Sequence, residues 1–256
     1  MMSEMLKVRE LFPEGQIQFI AGPCAVESEV QINSTAKFLS GLGVRIMRGG
    51  AFKPRTAPES FQGLAEEGLK IMRRAADRFG MLVVTEVMDE ENLDLVEEYT
   101  DIFQIGSRNC QNFSLLKKVG RRQKPVLIKR GFGNTIEEFY QATRYISREG
   151  NDQIIMVERG IRTFEESTRF TLDISAVPVL KGMVNYPVIV DPSHPAGKRE
   201  YVPSLSYAAV GAGADGLMIE VHPDPERAMS DARQQVNFET FEEIYRKSLK
   251  IRESMI

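Results

Sequence analysis

The sequence predicts an α/β chain folded as a single (β/α)8 barrel of the TIM type, preceded by a short N-terminal extension. Three observations predict it. Eight short apolar, β-branched runs recur, starting at residues 17, 44, 81, 101, 125, 154, 187 and 216. Helical patterns fall between them, giving repeated strand-then-helix units. A length of 256 residues with 42% hydrophobic content suits one large barrel with a sizeable core.

Taken in order, residues 1–15 (MMSEMLKVRELFPEG) are enough for a short hairpin or a plug under the barrel, which occupies 16–256. The strand runs are IQFIAG (17–22), VRIMRG (44–49), MLVVTEV (81–87), DIFQIG (101–106), PVLIKRG (125–131), IIMVERG (154–160), PVIVDPS (187–193) and GLMIEVH (216–222). They are almost continuously apolar, as strands covered on both faces should be. Between them, Ser60 to Phe79 carries Phe61, Leu64, Leu69, Ile71, Met72 and Ala75 at mostly helical spacing. Leu93 and Val96 continue the pattern after Asp89, and Thr135 with Glu138 forms a capping box that opens another helix. Ser204 to Val210 and Phe238 to Ile251 also read as helical. The stretch from Thr163 to Met183 is interrupted by Pro178 and stays unassigned. An open doubly wound sheet is the competing arrangement, but no GxGxxG follows the first run.

A formal net charge of −3 gives no reason to expect nucleic acid or a membrane surface as partner. No apolar run resembles a signal peptide or is long enough to span a bilayer. Two cysteines argue against a disulfide scaffold and fit a reducing, cytoplasmic location.

In such barrels chemistry gathers at the carboxyl ends of the strands. Those ends carry Cys24; Arg48 with Lys53 and Arg55; Glu86; Arg108; Lys129 and Arg130; Glu158 and Arg159; Asp191 and His194; and Glu220 and His222. Basic residues dominate the second, fourth, fifth and sixth ends. Arginine forks and lysine point charges there match an anion with two charged groups. Metal-ligand types fall at the first, seventh and eighth ends, which become neighbours when a barrel closes. Cys24 sits just past the first run and is open to four readings: disulfide, nucleophile, ligand or packing residue. Cys24, a histidine (His194 or His222), Glu220 and Asp231 together suit one divalent transition ion (Mn, Fe, Co or Zn) and suit Mg or Ca poorly. Cys110 reads as a small packing residue.

Eight stretches then occur in one order: AGPCAVES (21–28), RGGAFKPRTAP (48–58), IGSRN (105–109), IKRG (128–131), ERGIRT (158–163), DPSHPAG (191–197), EVHPDP (220–225) and SDARQ (230–234). In these the chain resembles the 3-deoxy-7-phosphoheptulonate (DAHP) synthases, of the compact type related to 3-deoxy-octulosonate 8-phosphate synthase. The likeness runs from about Gln16 to the C-terminal helix. It implies a (β/α)8 barrel that condenses phosphoenolpyruvate with erythrose 4-phosphate. It implies Cys24, His194, Glu220 and Asp231 as metal ligands, with His222 outside that set. Arg48, Lys53, Arg108, Lys129 and Arg159 would hold phosphoenolpyruvate, and Arg55 and Thr56 of KPRT the erythrose 4-phosphate end. Lys53, Cys24 and His194 would stand closest to the chemistry, with Glu86, Gln104 and Asp191 organising water.

The nearest rival is the octulosonate synthase using arabinose 5-phosphate, where an Asn-Arg-Ser type sequence replaces Pro-Arg-Thr. A lyase using Lys129 as an amine nucleophile would leave the ligand set without a task. A silent phosphosugar-binding barrel would be expected to have lost a ligand or a charge. The resemblance further implies a homodimer or homotetramer. The fifteen residues of the extension are too few for the regulatory domain that some relatives carry. The expectation is therefore no feedback inhibition from this chain itself, a separate regulatory partner remaining open.

Overall fold

Eight parallel strands close on themselves, β1 pairing with both β2 and β8. The computed structural model describes residues 6–53 and 59–255. In chain order the elements are α1 (Val8–Leu11), β1 (Gln18–Gly22), α2 (Glu29–Gly41), β2 (Ile46–Arg48), α3 (Ala65–Phe79), β3 (Leu82–Glu86), α4 (Leu93–Tyr99), β4 (Ile102–Ile105), α5 (Phe113–Gly120), β5 (Val126–Lys129), α6 (Ile136–Ser147), β6 (Ile154–Glu158), α7 (Ala176–Met183), β7 (Val188–Val190), α8 (Ser193–Ala196), α9 (Val202–Gly211), β8 (Gly216–Glu220) and α10 (Phe238–Glu253). Each strand lies inside one of the eight apolar runs, so the predicted (β/α)8 barrel is the observed one.

Two apolar layers hold it together. Ile20, Ile46, Val84, Ile102, Leu127, Ile155, Ile189 and Met218 fill the barrel interior, and Val8, Leu11 and Phe12 of the N-terminal segment pack against them. Each such side chain contributes about 1.5–3 kcal/mol on burial. The alternate residues, among them Met47, Val83, Phe103, Ile128, Met156 and Leu217, face outward into a shell shared with the helices. Covering on both faces is why the runs read as continuously apolar.

Local chemistry sets the helix ends. Thr135 caps α6 as the sequence predicts: its Oγ1 accepts from Glu138 N at 3.1 Å, and Glu138 Oε2 accepts from Thr135 N at 2.8 Å. By contrast α3 begins at Ala65, later than the predicted Ser60. Gly63 (φ 96°) and Ala65 (φ 49°) turn the chain back, with Lys53 N bonded to Gln62 O and Ala65 N to Ala51 O. The unassigned stretch after β6 is mostly loop. Pro178 is the third residue of α7, in the first turn, where a missing N–H breaks no helical bond.

Candidate active site

Strand alternation builds the site. Two residues beyond each inner apolar side chain, the same inward direction recurs. After Ile46, Val84, Ile102, Leu127, Val157, Ile189 and Met218, that position holds Arg48, Glu86, Gln104, Lys129, Arg159, Asp191 and Glu220. A ring of polar side chains therefore caps the apolar interior at its carboxyl end. Only β1 has no side chain there. Gly22 (φ 148°) lies so close to β2 that a Cβ would strike the Arg48 carbonyl. The first strand contributes Cys24 instead, one step past Pro23, fixed by Cys24 N donating to Gln235 Oε1 at 2.9 Å.

One half of the ring gathers ligand chemistry. The donor atoms of Cys24, Glu220 and Asp231 all lie within 4.8 Å of one another. Cys24 Sγ is 3.0 Å from Ser230 Oγ, 3.4 Å from Asp231 Oδ2 and 3.0 Å from Lys53 Nζ. Burial, with Glu220 and Asp231 nearby, pushes the Cys24 thiol up to about 12. Without a cation it keeps its proton. Burial also opposes ionisation of Glu220, but His194 (when protonated), Arg48 and Lys53 outweigh it and hold the carboxyl far below its usual range. Arg48 Nη1 donates to Glu220 Oε1 at 2.7 Å, and Gln234 Nε2 to Glu220 Oε2 at 2.7 Å.

The two histidines differ in what they have free. His194 Nδ1 lies 2.6 Å from Asp191 Oδ2, and a carboxylate can only accept, so Nδ1 carries the proton. Burial keeps this ring neutral by lowering its pKa despite Asp191. Nε2 is thereby left with a lone pair, 3.6 Å from Glu220 Oε1. His222 has no spare nitrogen: Nδ1 accepts from Asp224 N at 3.0 Å and Nε2 meets Glu27 Oε2 at 3.3 Å. Cys24, Glu220 and Asp231 form the mutually close set, and His194 stands outside it, approaching through Glu220 alone. By the chemistry of the donors, a thiol, two carboxylates and an imidazole lone pair suit a transition ion.

The other half is cationic. A cavity of about 510 Å³ opens here, lined by Arg48, Lys53, Arg108, Lys129, Arg159, His194 and Asp231 among others. Lys129 Nζ is 2.7 Å from Asp191 Oδ2; burial lowers its pKa, and Asp191 pulls the other way. Arg159 is only 3% exposed, and no carboxylate lies within ion-pair distance of it or of Arg108 among the described residues. Burial draws Arg159 down to about 10, which leaves it charged at neutral pH. Glu86 and Gln104 sit across the mouth, joined at 3.2 Å.

Most sequence-predicted residues thus converge on one mouth, and Cys110 is buried away from solvent as packing. Arg55 and Thr56 lie outside the described residues. Sequence reasoning passed over Phe132, Phe170, Arg162 and Arg169, which line the cavity from the loops after β5 and β6. It also passed over Gln234 and Ser230 as partners of Glu220 and Cys24. The available signal was proximity to the strand ends; loop residues carry no periodicity to mark them.

Comparison with known proteins adds to this geometry. The profile of the DAHP synthetase I family matches residues 13–255. A phospho-2-dehydro-3-deoxyheptonate aldolase from Thermotoga maritima is 54% identical over 241 residues, 94% of this chain and 71% of that protein. A 2-dehydro-3-deoxyphosphooctonate aldolase from Thioalkalivibrio sulfidiphilus is 34% identical, over 85% of this chain and 83% of that protein. The crystal structure of DAHP synthase from Thermotoga maritima superposes with a TM-score of 0.92 at 50% identity, covering 100% of this chain and 78% of that one.

Proposed function

The chain belongs to the DAHP synthetase I family, and on that premise we infer that the barrel mouth condenses phosphoenolpyruvate with erythrose 4-phosphate to give DAHP and inorganic phosphate. The observation that carries the residue roles is the joining of a cationic half and a ligand half in one ring through the Arg48–Glu220 and Lys129–Asp191 pairs.

Arg48, Lys53, Arg108, Lys129 and Arg159 hold the phosphate and carboxylate of phosphoenolpyruvate. They fix C3 against the aldehyde and so remove much of the orientational cost of a two-substrate reaction. Cys24, His194, Glu220 and Asp231 would hold one divalent ion, of Mn, Fe, Co or Zn type. When bound, such an ion supplies Lewis-acid polarisation of a carbonyl oxygen. As C3 attacks the aldehyde carbon, positive charge develops at C2 and is captured by water, which Glu86 and Gln104 are placed to orient. The C2–O bond to phosphate then breaks, and the arginines offset charge gathering on the leaving group. Lys53, within 3.0 Å of Cys24 Sγ, stands between the two halves and favours the thiolate form.

Erythrose 4-phosphate is preferred over arabinose 5-phosphate on the greater identity to the heptonate relative. Arg55 and Thr56 are assigned to its phosphate end on the resemblance alone. A homodimer or homotetramer in the cytoplasm completes this reading. Among the described residues no helix is long and apolar enough to cross a membrane. Phosphate release with each aldose, before and after chelation and with each metal restored, tests it. Equal turnover of both aldoses, or turnover indifferent to chelation, contradicts it.

A further inference from the structure

Two buried arginines near the mouth are stabilised in opposite ways. Arg130, the outward-facing neighbour of Lys129, donates Nη1 to Glu158 Oε2 and to Asp173 Oδ2, both at 2.8 Å. This is the ordinary solution for a buried guanidinium, with counter-charge supplied by the protein. Arg159 is as deeply buried but has no such carboxylate among the described residues. Among the described residues its Nε has no partner, and Nη1 makes only a long 3.4 Å bond to Gly160 O.

Aromatic faces surround it instead. Arg159 Cζ lies 4.1 Å from the centroid of Phe170 and 5.0 Å from that of Phe132. The two rings are themselves stacked, 5.3 Å apart and 7° from parallel. Arg162 and Arg108 also lie over Phe132, at 5.1 and 5.6 Å, and Arg169 lies 5.9 Å from Phe170. The rings come from different loops that backbone bonds tie in place. Arg162 N donates to Phe132 O at 2.7 Å, and Phe170 N to Pro195 O at 3.2 Å. A ring face attracts a cation through its quadrupole while bringing no negative charge of its own.

We propose that Phe132 and Phe170 are positioning residues that hold Arg159 at the mouth by ring faces, leaving its charge for the substrate anion to neutralise. A carboxylate in their place would orient the guanidinium equally well but would compete with phosphoenolpyruvate for it. The inference rests on the reading above that Arg159 binds phosphoenolpyruvate.

The test is direct binding of phosphoenolpyruvate by calorimetry to the parent, Phe170→Leu, Phe170→Met and Phe170→Tyr, with steady-state kinetics and thermal unfolding alongside. Met keeps volume without a ring and serves if Leu proves poorly folded. Loss of the ring is expected to weaken binding by about ten-fold and raise KM in step, with kcat at saturation little changed. Tyr, which keeps the face, should stay within about two-fold of the parent. Unchanged binding in Leu and Met, a Tyr loss as large as theirs, or a fall in kcat with KM intact overturns the proposal. A parent that binds no phosphoenolpyruvate overturns the functional reading itself, a result distinguishable from the others.

Discussion

Asp191 Oδ2 lies 2.6 Å from His194 Nδ1, and the same oxygen is 2.7 Å from Lys129 Nζ. One carboxylate oxygen thus sets the tautomer of the free imidazole and anchors a lysine of the anion cradle. Asp191→Asn should keep the shape but release the tautomer, since an amide can offer Nδ1 either a donor or an acceptor. Divalent-ion affinity, read by chelator competition, is expected to fall about 10- to 100-fold. An unchanged affinity would mean that the Asp191–His194 contact does not orient a ligand.

Cys24→Asn separates the two halves. Asparagine offers oxygen without a thiolate, so ion affinity should drop strongly, while binding of phosphoenolpyruvate to the ion-free protein should stay within about two-fold, because Lys53 loses its contact with Sγ but keeps its 3.1 Å bond to the Cys24 carbonyl. Metal content after dialysis and calorimetry read the two effects independently. Parallel loss of both would show that Cys24 supports the cradle structurally.

Lys129 should form no Schiff base. Its ammonium is held by Asp191, which works against the loss of proton that burial favours. Borohydride added with phosphoenolpyruvate and either aldose is expected to leave the intact mass unchanged; a substrate-sized increase on Lys129 contradicts this assignment.

Acid stability should depend on the Arg130 cluster. Burial pushes the Asp173 carboxyl up, but hydrogen bonds from Arg130 and Ser175 outweigh it and leave it below its ordinary value. The folded state therefore binds this proton less readily than the unfolded chain. The resulting stability is present above the ordinary aspartate value of about 3.9 and is lost as pH falls through the lower folded value. Asp173→Asn should lower Tm near neutral pH and flatten its decline below about pH 4. A decline as steep as the parent's would remove Asp173 from the account. Glu158 runs the opposite way, since burial raises it beyond what Arg130 and the Gly160 amide recover. Its share is full below about 4.3 and diminishes as pH rises through its folded value.

The strands were legible as continuous apolar runs and the polar ring as the charged residues at their carboxyl ends, a placement that the alternation seen in the structure accounts for. An apolar residue facing the barrel axis implies that the residue two places on faces it too, which makes Arg48, Lys129 and Glu220 readable as a set. His194 and Asp231 lie beyond the strands, where alternation is silent; donor type near the strand ends marked them, and only the preference for His194 over His222 needed the resemblance. The choice between His194 and His222 rests on which nitrogen is already bonded, a three-dimensional fact. Phe132 and Phe170 stayed hidden for a related reason. They meet only because loops after β5 and β6 are neighbours, and no spacing in the chain records a stack between loops. Asp231, with φ at 48°, adopts a left-handed backbone that aspartate tolerates but does not announce.

Cys24 and Asp231 are 207 residues apart along the chain and 3.4 Å apart in the fold. A ribosome releases them in that order, so the thiol emerges well before any of its partners from β8 and the loop beyond. Until β8 docks against β1, the nascent chain has arginines and a cysteine but no pocket in which an ion could be selected. If these residues hold an ion, as proposed above, its uptake follows translation rather than accompanying it. On the proposed ligand set, ion binding would report that the barrel has closed, a signal that a stalled or truncated chain lacking β8 could not give.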